Sequence, residues 1–301
     1  MTASQGERSV ACVVSTTNRS GLAANQDCVG IAENICIGIR AVLVADGLGS
    51  FEHAELAAQR AVMAAKSQLE GMASVAEIDI ATLFLRSRQS VRELALQYCA
   101  DNSLKLDTEH SFGTTMILGI DTPHELVLAY AGNGAIWHLR GNFNHFGSNR
   151  YVPWNAVNYL NPHTLENELG REALYRLISA SDDVQESVPT FLRISKDTLY
   201  GDIVLVCTDG IASMDQSQVG KYRDGSVWVK TEVTMLRFYA ALAEYFDESP
   251  DFTDASLREA MIGYLDGLRT DNLLDDDASL GLIVTPTVVA YQTSRREAAN
   301  R

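Results

Sequence analysis

Proline is scarce in this chain, six residues in 301, and three of the six fall at Pro153, Pro162 and Pro189. Elsewhere the backbone is free of the fixed φ and missing N–H that interrupt helices and strands. The five cysteines (Cys12, Cys28, Cys36, Cys99, Cys207) form no CxxC pair and are odd in number. That excludes a zinc ribbon or a dithiol redox motif and points to reduced thiols in a cytoplasmic protein. No apolar run reaches the length of a membrane span, and MTASQGERSV lacks the basic-then-apolar order of a signal peptide. Positive charge is sparse, with 24 Lys and Arg against 39 Asp and Glu, a net charge of −15. Such a body repels polyanions, and no Lys/Arg cluster offers a local exception. Nucleic acid and anionic membrane are therefore excluded as partners.

Several catalytic signatures are missing too. There is no GxSxG nucleophile elbow and no GxxxxGK[ST] loop, and neither Gly47–Gly49 nor Gly132–Gly134 extends to GxGxxG. The six histidines are scattered without metal-ligand spacing and read as surface or satisfied core residues.

What is present is an ordinary globular composition, 46% apolar and 21% charged. No repeat, low-complexity tract or Pro/Ser/Gly-rich linker divides it, so residues 1–290 read as one domain and 291–301 as a disordered tail. Val10–Ser15, Cys28–Ala32 and Ile35–Ala45 read as strands, with Glu33-Asn34 turning between the last two. Ala54, Ala57, Ala58, Ala61 and Ala65 mark a helix whose small residues suit close packing on a sheet. Ile80, Leu83, Phe84, Val91, Leu94 and Ala95 mark a second. Strands follow at Thr114–Ile120, Glu125–Tyr130 and Ala135–Arg140, then a long excursion with one helix over Leu165–Ile178. A strand at Asp202–Cys207, helices near 232–246 and 256–268 and a strand at Ser279–Val284 complete the series, with a frayed tail from Thr287. Strands and helices come in blocks without strict βαβ alternation, which favours an antiparallel α+β domain.

Three acidic positions share one setting. Asp46, Asp209 and Asp276 each stand at the end or start of an apolar strand, and the first two are followed by glycine. Asp-Gly is also a common turn dipeptide, so no single one identifies a site. Three carboxylates gathered at a sheet rim repel one another unless protons or hard cations compensate. Oxygen-only ligands favour Mg²⁺ or Mn²⁺ over zinc.

Taken in order, the motifs are Asn25-Gln26-Asp27, Val44-Ala45-Asp46-Gly47-Leu48-Gly49, Phe112-Gly113-Thr114-Thr115, Ala131-Gly132-Asn133-Gly134, Val206-Cys207-Thr208-Asp209-Gly210 and Asp276-Asp277-Ala278-Ser279. Together they resemble the metal-dependent protein phosphatase 2C family, its bacterial branch above all, over about Val10 to Val284. The resemblance implies a four-layer α-β-β-α sandwich of two antiparallel sheets flanked by helices. It implies two Mn²⁺ or Mg²⁺ ions and hydrolysis of phosphoserine and phosphothreonine by a water activated between them. A phosphoprotein substrate and a cognate Ser/Thr kinase would be the partners. Carried over by position, Asp46 would bridge both metals with the Gly47 carbonyl on one of them. Asp209 and Asp276 would complete the second, and these three aspartates would be the catalytic set. Gln26, Asp27 and Asn133 would stand around them.

The chain departs from the family pattern at informative places. The usual Asn-Glu-Asp reads Asn25-Gln26-Asp27, and the usual Gly-Asp-Ser reads Gly132-Asn133-Gly134, so two carboxylates become amides. The phosphate-gripping arginine expected five residues before Asp27 is Leu22, leaving Arg19 as the substitute. The histidine that follows the glycines in bacterial members is Phe51, with His53 two places on. Losing groups that support metal ligands typically costs about 10–100-fold in metal affinity or activity. An attenuated phosphatase is therefore expected. The alternatives are a pseudophosphatase that serves as a binding module and a phosphodiesterase or small-molecule phosphatase using the same chemistry. The excursion at 141–200 and the segment Ser213–Val229 lie where flaps facing substrate would fall.

Overall fold

The computed structural model describes residues 8–17, 25–108, 110–141, 156–166, 172–212, 218–221, 223–230, 233–274 and 276–299. The chain begins with strands β1 (Val10–Thr16), β2 (Asp27–Asn34) and β3 (Ile39–Asp46), followed by helices α1 (Ala54–Glu70) and α2 (Ile80–Asp101). Strands β4 (Gly113–Thr114), β5 (Met116–Asp121), β6 (Glu125–Ala131) and β7 (Ala135–Arg140) come next. Short strands β8 (Ala156–Asn158), β9 (Thr164–Glu166), β10 (Glu172–Leu174) and β11 (Ile178–Ser179) precede β12 (Thr190–Ser195) and β13 (Asp202–Cys207). One helical turn, α3 (Asp209–Ala212), and a hairpin of β14 (Gln218–Lys221) and β15 (Val227–Lys230) lead to α4 (Val233–Glu248) and α5 (Asp254–Thr270). Strand β16 (Ala278–Val284) and helix α6 (Pro286–Ala299) end the series.

Two five-stranded antiparallel sheets face each other, in the orders β1-β16-β13-β7-β8 and β12-β6-β5-β3-β2. Ala41, Leu43 and Ala45 of β3 pack with α1 and α2, while Val42 and Val44 pack between the sheets. In β13, Cys207, Leu205 and Ile203 join the core under α4 and α5, while Val204 and Val206 face the opposite sheet. Both faces of these strands are buried, so their sequences are continuous apolar runs without visible alternation. The result is the expected α-β-β-α order: α1 and α2 on one outer face, α4 and α5 on the other. The alanines of α1 (Ala57, Ala58, Ala61 and Ala65) are fully buried and bring that helix close to β2 and β3. Asp79 caps α2, and Thr253 with Ser256 forms a capping box on α5.

Three expectations need correction. The helix expected over Leu165–Ile178 is replaced by short strands, β9 pairing with β10 and β11 with β4. Leu165 is exposed while Leu177 and Ile178 are buried, so the apolar residues do not form one face that a helix could bury. The tail expected to fray from Thr287 is helical as far as Ala299, which covers 291–299 of the stretch expected to be disordered. Pro286 opens that helix where its missing N–H costs nothing, Val288 is fully buried, and Gln292 Nε2 donates to the Gly141 carbonyl at 2.7 Å. The turn between β2 and β3 spans residues 35–38, not Glu33-Asn34, with Gly38 at φ +69°. Ile35 is accordingly 72% exposed and β3 starts only at Ile39.

Candidate active site

Strand ends converge at one rim of the sandwich. Asp46 ends β3 directly across from Asp27, the first residue of β2. Asp209 follows β13, whose last residue, Cys207, pairs with Ala135 of β7 and Leu280 of β16. The Gly132–Gly134 turn joins β6 to β7 at the same rim.

The backbone of Asp46 is held from several sides. Its N–H donates to Thr115 Oγ1 at 3.0 Å, and its carbonyl accepts from the Thr115 N–H and the Thr114 hydroxyl, each at 2.8 Å. The Phe112-Gly113-Thr114-Thr115 motif thus acts by fixing Asp46. Gly47 donates its N–H to the Gln26 carbonyl at 3.1 Å, and a Cβ there would lie 2.7 Å from the Ala54 carbonyl carbon. Only glycine fits where β3 passes the first turn of α1.

Three carboxylates meet. The Asp46 carboxyl stands beside those of Asp27 and Asp209, and the Asn133 amide donates to Asp209 Oδ2 at 2.6 Å. Thr208 Oγ1 donates to Asp27 Oδ2 at 3.1 Å and accepts the Ser279 N–H at 3.0 Å, tying β13 and β16 to β2. Asp27 Oδ1 is buried, and among the described residues no donor reaches it. Burial pushes the Asp46 carboxyl well above the usual range, and the charges of Asp27 and Asp209 add to it. Burial likewise raises Asp27 to about 6, with Asp277 contributing. Carboxyls this close share protons unless a cation lies among them.

The expected residues divide. Asp46, Asp209, Asp27 and Asn133 come together. Gly47 lies between the Gln26 carbonyl and α1, and Gln26 takes part through its backbone. Asp276 is exposed, and its Oδ1 accepts the N–H of Asp277 at 2.8 Å. The neighbouring Asp277 is the buried one. Arg19 and Leu22 lie outside the described residues, as do parts of Ser213–Val229 and of 141–200. Phe51 lies against Gly113, within 2.7 Å of where a Cβ would stand, while His53 packs on Tyr98 and Phe112. Among the described residues no three Asp, Glu, His or Cys side chains are arranged to hold a metal.

Thr115 belongs to the Phe112-Gly113-Thr114-Thr115 motif, but one other residue of the network carries no sequence signal. His163 is buried and stands at the Gly132 turn, 31 residues on in the chain. No local pattern announces such a pairing.

Known proteins share this frame. A bacterial serine phosphatase superimposes with a TM-score of 0.60 at 14% identity, covering 91% of this chain and 97% of its own. The serine/threonine phosphatase of S. agalactiae gives 0.59 at 15%, covering 92% and 99%. The catalytic domain of the serine threonine protein phosphatase PstP, solved with 2 manganese ions, gives 0.53 at 17%, covering 92% and 98%. No curated protein sequence matches the chain. The sequence model described as protein phosphatase 2C matches residues 16–261. That stretch holds every motif of the rim except the acidic loop before β16, and the chain belongs to the protein phosphatase 2C family.

Proposed function

We propose that this protein is a metal-dependent protein serine/threonine phosphatase acting on phosphoproteins. The reading rests on one observation above all: Asp27, Asp46 and Asp209 meet at the rim, where burial raises the carboxyl pKa of Asp27 and of Asp46. The chemistry of the donors suits a hard divalent cation such as Mn²⁺ or Mg²⁺, since every donor is oxygen and, among the described residues, no donor reaches the buried Asp27 Oδ1. Asp46, the Gly47 carbonyl and Asp209 would hold two ions, with Asp276 completing the set from the exposed loop. Bound there, the ions would supply charge stabilisation for the phosphate and lower the pKa of water.

The chain's own residues do the positioning. Thr114 and Thr115 fix the Asp46 backbone, Asn133 orients Asp209, and Thr208 orients Asp27. Arg19 is the residue we assign to the substrate phosphate, and a cognate Ser/Thr kinase is the expected counterpart. Five free cysteines support a cytoplasmic location, and among the described residues no helix is long and apolar enough to cross a membrane.

A second reading, a pseudophosphatase that binds proteins, is favoured by the Asn133 amide on Asp209 and by the exposure of Asp276. Hydrolysis of a phosphothreonine peptide, measured with Mn²⁺ and again after chelation, separates the two. Metal-dependent turnover supports the enzyme. None at any metal concentration, beside retained binding of a protein partner, supports the module.

A further inference from the structure

The Gly132-Asn133-Gly134 turn is an awkward piece of backbone. Gly132 has φ +117° and Gly134 φ +115°, and a Cβ on Gly132 would lie 2.6 Å from Thr115 Cγ2. Thr115 is the residue that holds the Asp46 N–H, and Asn133 is the residue that reaches Asp209. One turn therefore touches the supports of both carboxylates. Something must hold it, since two glycines leave the backbone free to take up other conformations.

His163 does so from the side. Its Nδ1 accepts the Gly132 N–H at 3.2 Å, and its own backbone N–H donates to the Gly132 carbonyl at 3.0 Å. With Nδ1 an acceptor, the proton resides on Nε2, which donates to Thr190 Oγ1 at 2.8 Å. The imidazole stacks on Tyr130 with ring centroids 4.6 Å apart. Tyr130 is itself fixed, its hydroxyl donating to the Asn161 carbonyl at 2.9 Å and accepting the Asn161 N–H at 3.1 Å. The ring is 4% exposed, so no water replaces these contacts cheaply. Among the described residues the one cation beside it is Arg176, with Nη1 3.5 Å from Nε2.

We infer that His163 is a positioning residue for the rim: it locks the Gly132 turn so that Asn133 stays on Asp209 and Thr115 stays on Asp46. The inference rests on the proposed cation site, because its consequence is metal affinity. It requires the neutral Nε2-protonated imidazole, as only that tautomer accepts from Gly132 while donating to Thr190.

Calorimetric Mn²⁺ titration of the full chain tests it, using His163→Ala, Asn133→Ala and the double variant. Each single variant should bind Mn²⁺ about tenfold more weakly, and the double no more weakly than Asn133→Ala alone. A His163→Ala protein that melts earlier yet binds Mn²⁺ like the parent overturns the inference, because the residue is then merely structural. Losses that multiply in the double variant overturn it as well. If Asn133→Ala alone is silent, the placement of Asn133 at the cation site falls, and the inference with it.

Should His163→Ala fail to fold, the amide variants decide. Asparagine places its oxygen near the Nδ1 position and should keep the parent's affinity. Glutamine reaches toward Thr190 instead and should lose it, and equal behaviour overturns the inference. Amide exchange at Gly132–Gly134 is a readout free of metal: faster exchange in His163→Ala supports the lock, and unchanged exchange removes it. A parent that binds no Mn²⁺ overturns the cation site, and the exchange measurement then still judges the lock.

Discussion

Asp277 and Gln26 stand 251 residues apart in the chain and are joined by one hydrogen bond, the Gln26 N–H donating to Asp277 Oδ2 at 3.0 Å. The other oxygen of Asp277 accepts the Thr17 hydroxyl at 2.6 Å. This carboxylate thus ties the end of β1 and the start of β2 to the loop before β16. It also holds the residue whose carbonyl receives the Gly47 N–H. Its neighbour Asp276 points outward. The adjacent aspartates thus divide, Asp277 buried and holding the rim together and Asp276 exposed, with its Oδ1 on the Asp277 N–H.

That division predicts opposite phenotypes. Asp277→Ala leaves the Gln26 N–H and the Thr17 hydroxyl without their acceptor and should cost about 1–3 kcal/mol in urea unfolding. Asp276→Ala should leave the urea midpoint unchanged and weaken Mn²⁺ binding. If Asp277→Ala instead removes metal binding at undiminished stability, the two roles have been assigned the wrong way round.

Hydrolysis of an aryl phosphate should require Mn²⁺ or Mg²⁺ and stop on exhaustive chelation. The oxygen-only donors Asp46 and Asp209 motivate this, together with the absence of a GxSxG elbow that could act without metal. Turnover that persists unchanged in chelator sinks the metal reading.

Asp209→Asn should abolish turnover and raise the melting temperature of the metal-free protein. The Asn133 amide can still donate to an asparagine oxygen, so the local hydrogen bond survives. The charge of Asp209, which helps to push the Asp46 carboxyl upward, is gone. An unfolded variant or near-normal turnover would show that Asp209 has been misassigned.

The antiparallel α+β class was legible in the blocks of strands and helices, and Asp46 and Asp209 in apolar strands that run into Asp-Gly, whereas the four-layer order and the place of Asp27 came only through the family resemblance. The choice between Asp276 and Asp277 was not legible: three consecutive aspartates look alike until burial distinguishes them. The misread helix at 165–178 came from apolar spacing without knowledge of which residues are covered. The missed helix α6 is anchored by Val288 and by Gln292 on Gly141, contacts that only the folded chain creates.

Stability should fall with acid through His163. Burial, with the Arg176 charge adding, lowers its pKa from 6.5 to about 4. Above pH 6.5 both folded and unfolded states are neutral at this residue. Between pH 6.5 and about 4 the unfolded chain takes up the proton first, so folding stability is lost across that window. His163→Asn removes the titration and should flatten this part of the curve. Urea midpoints of parent and variant, compared from pH 7.5 to 4, check it; parallel curves would mean the imidazole is not held neutral.

The two amides that replace expected carboxylates give the most demanding test. The Asn133 amide donates to Asp209 Oδ2 at 2.6 Å, so Asn133→Asp would set two carboxylates against each other in the metal-free protein. Gln26 takes part in the rim through its backbone N–H and carbonyl, so Gln26→Glu should leave those two bonds in place. Side-chain length and shape are retained in both changes, which makes the effect electrostatic. The double variant should therefore melt earlier than the parent without metal and gain more stability from Mn²⁺. Each tenfold increase in affinity corresponds to about 1.4 kcal/mol. Calorimetric titration beside melting with and without Mn²⁺ reads both terms. Weaker or equal Mn²⁺ binding by the double variant would mean that these side chains do not face the cations, and that Asn133 serves only to neutralise Asp209.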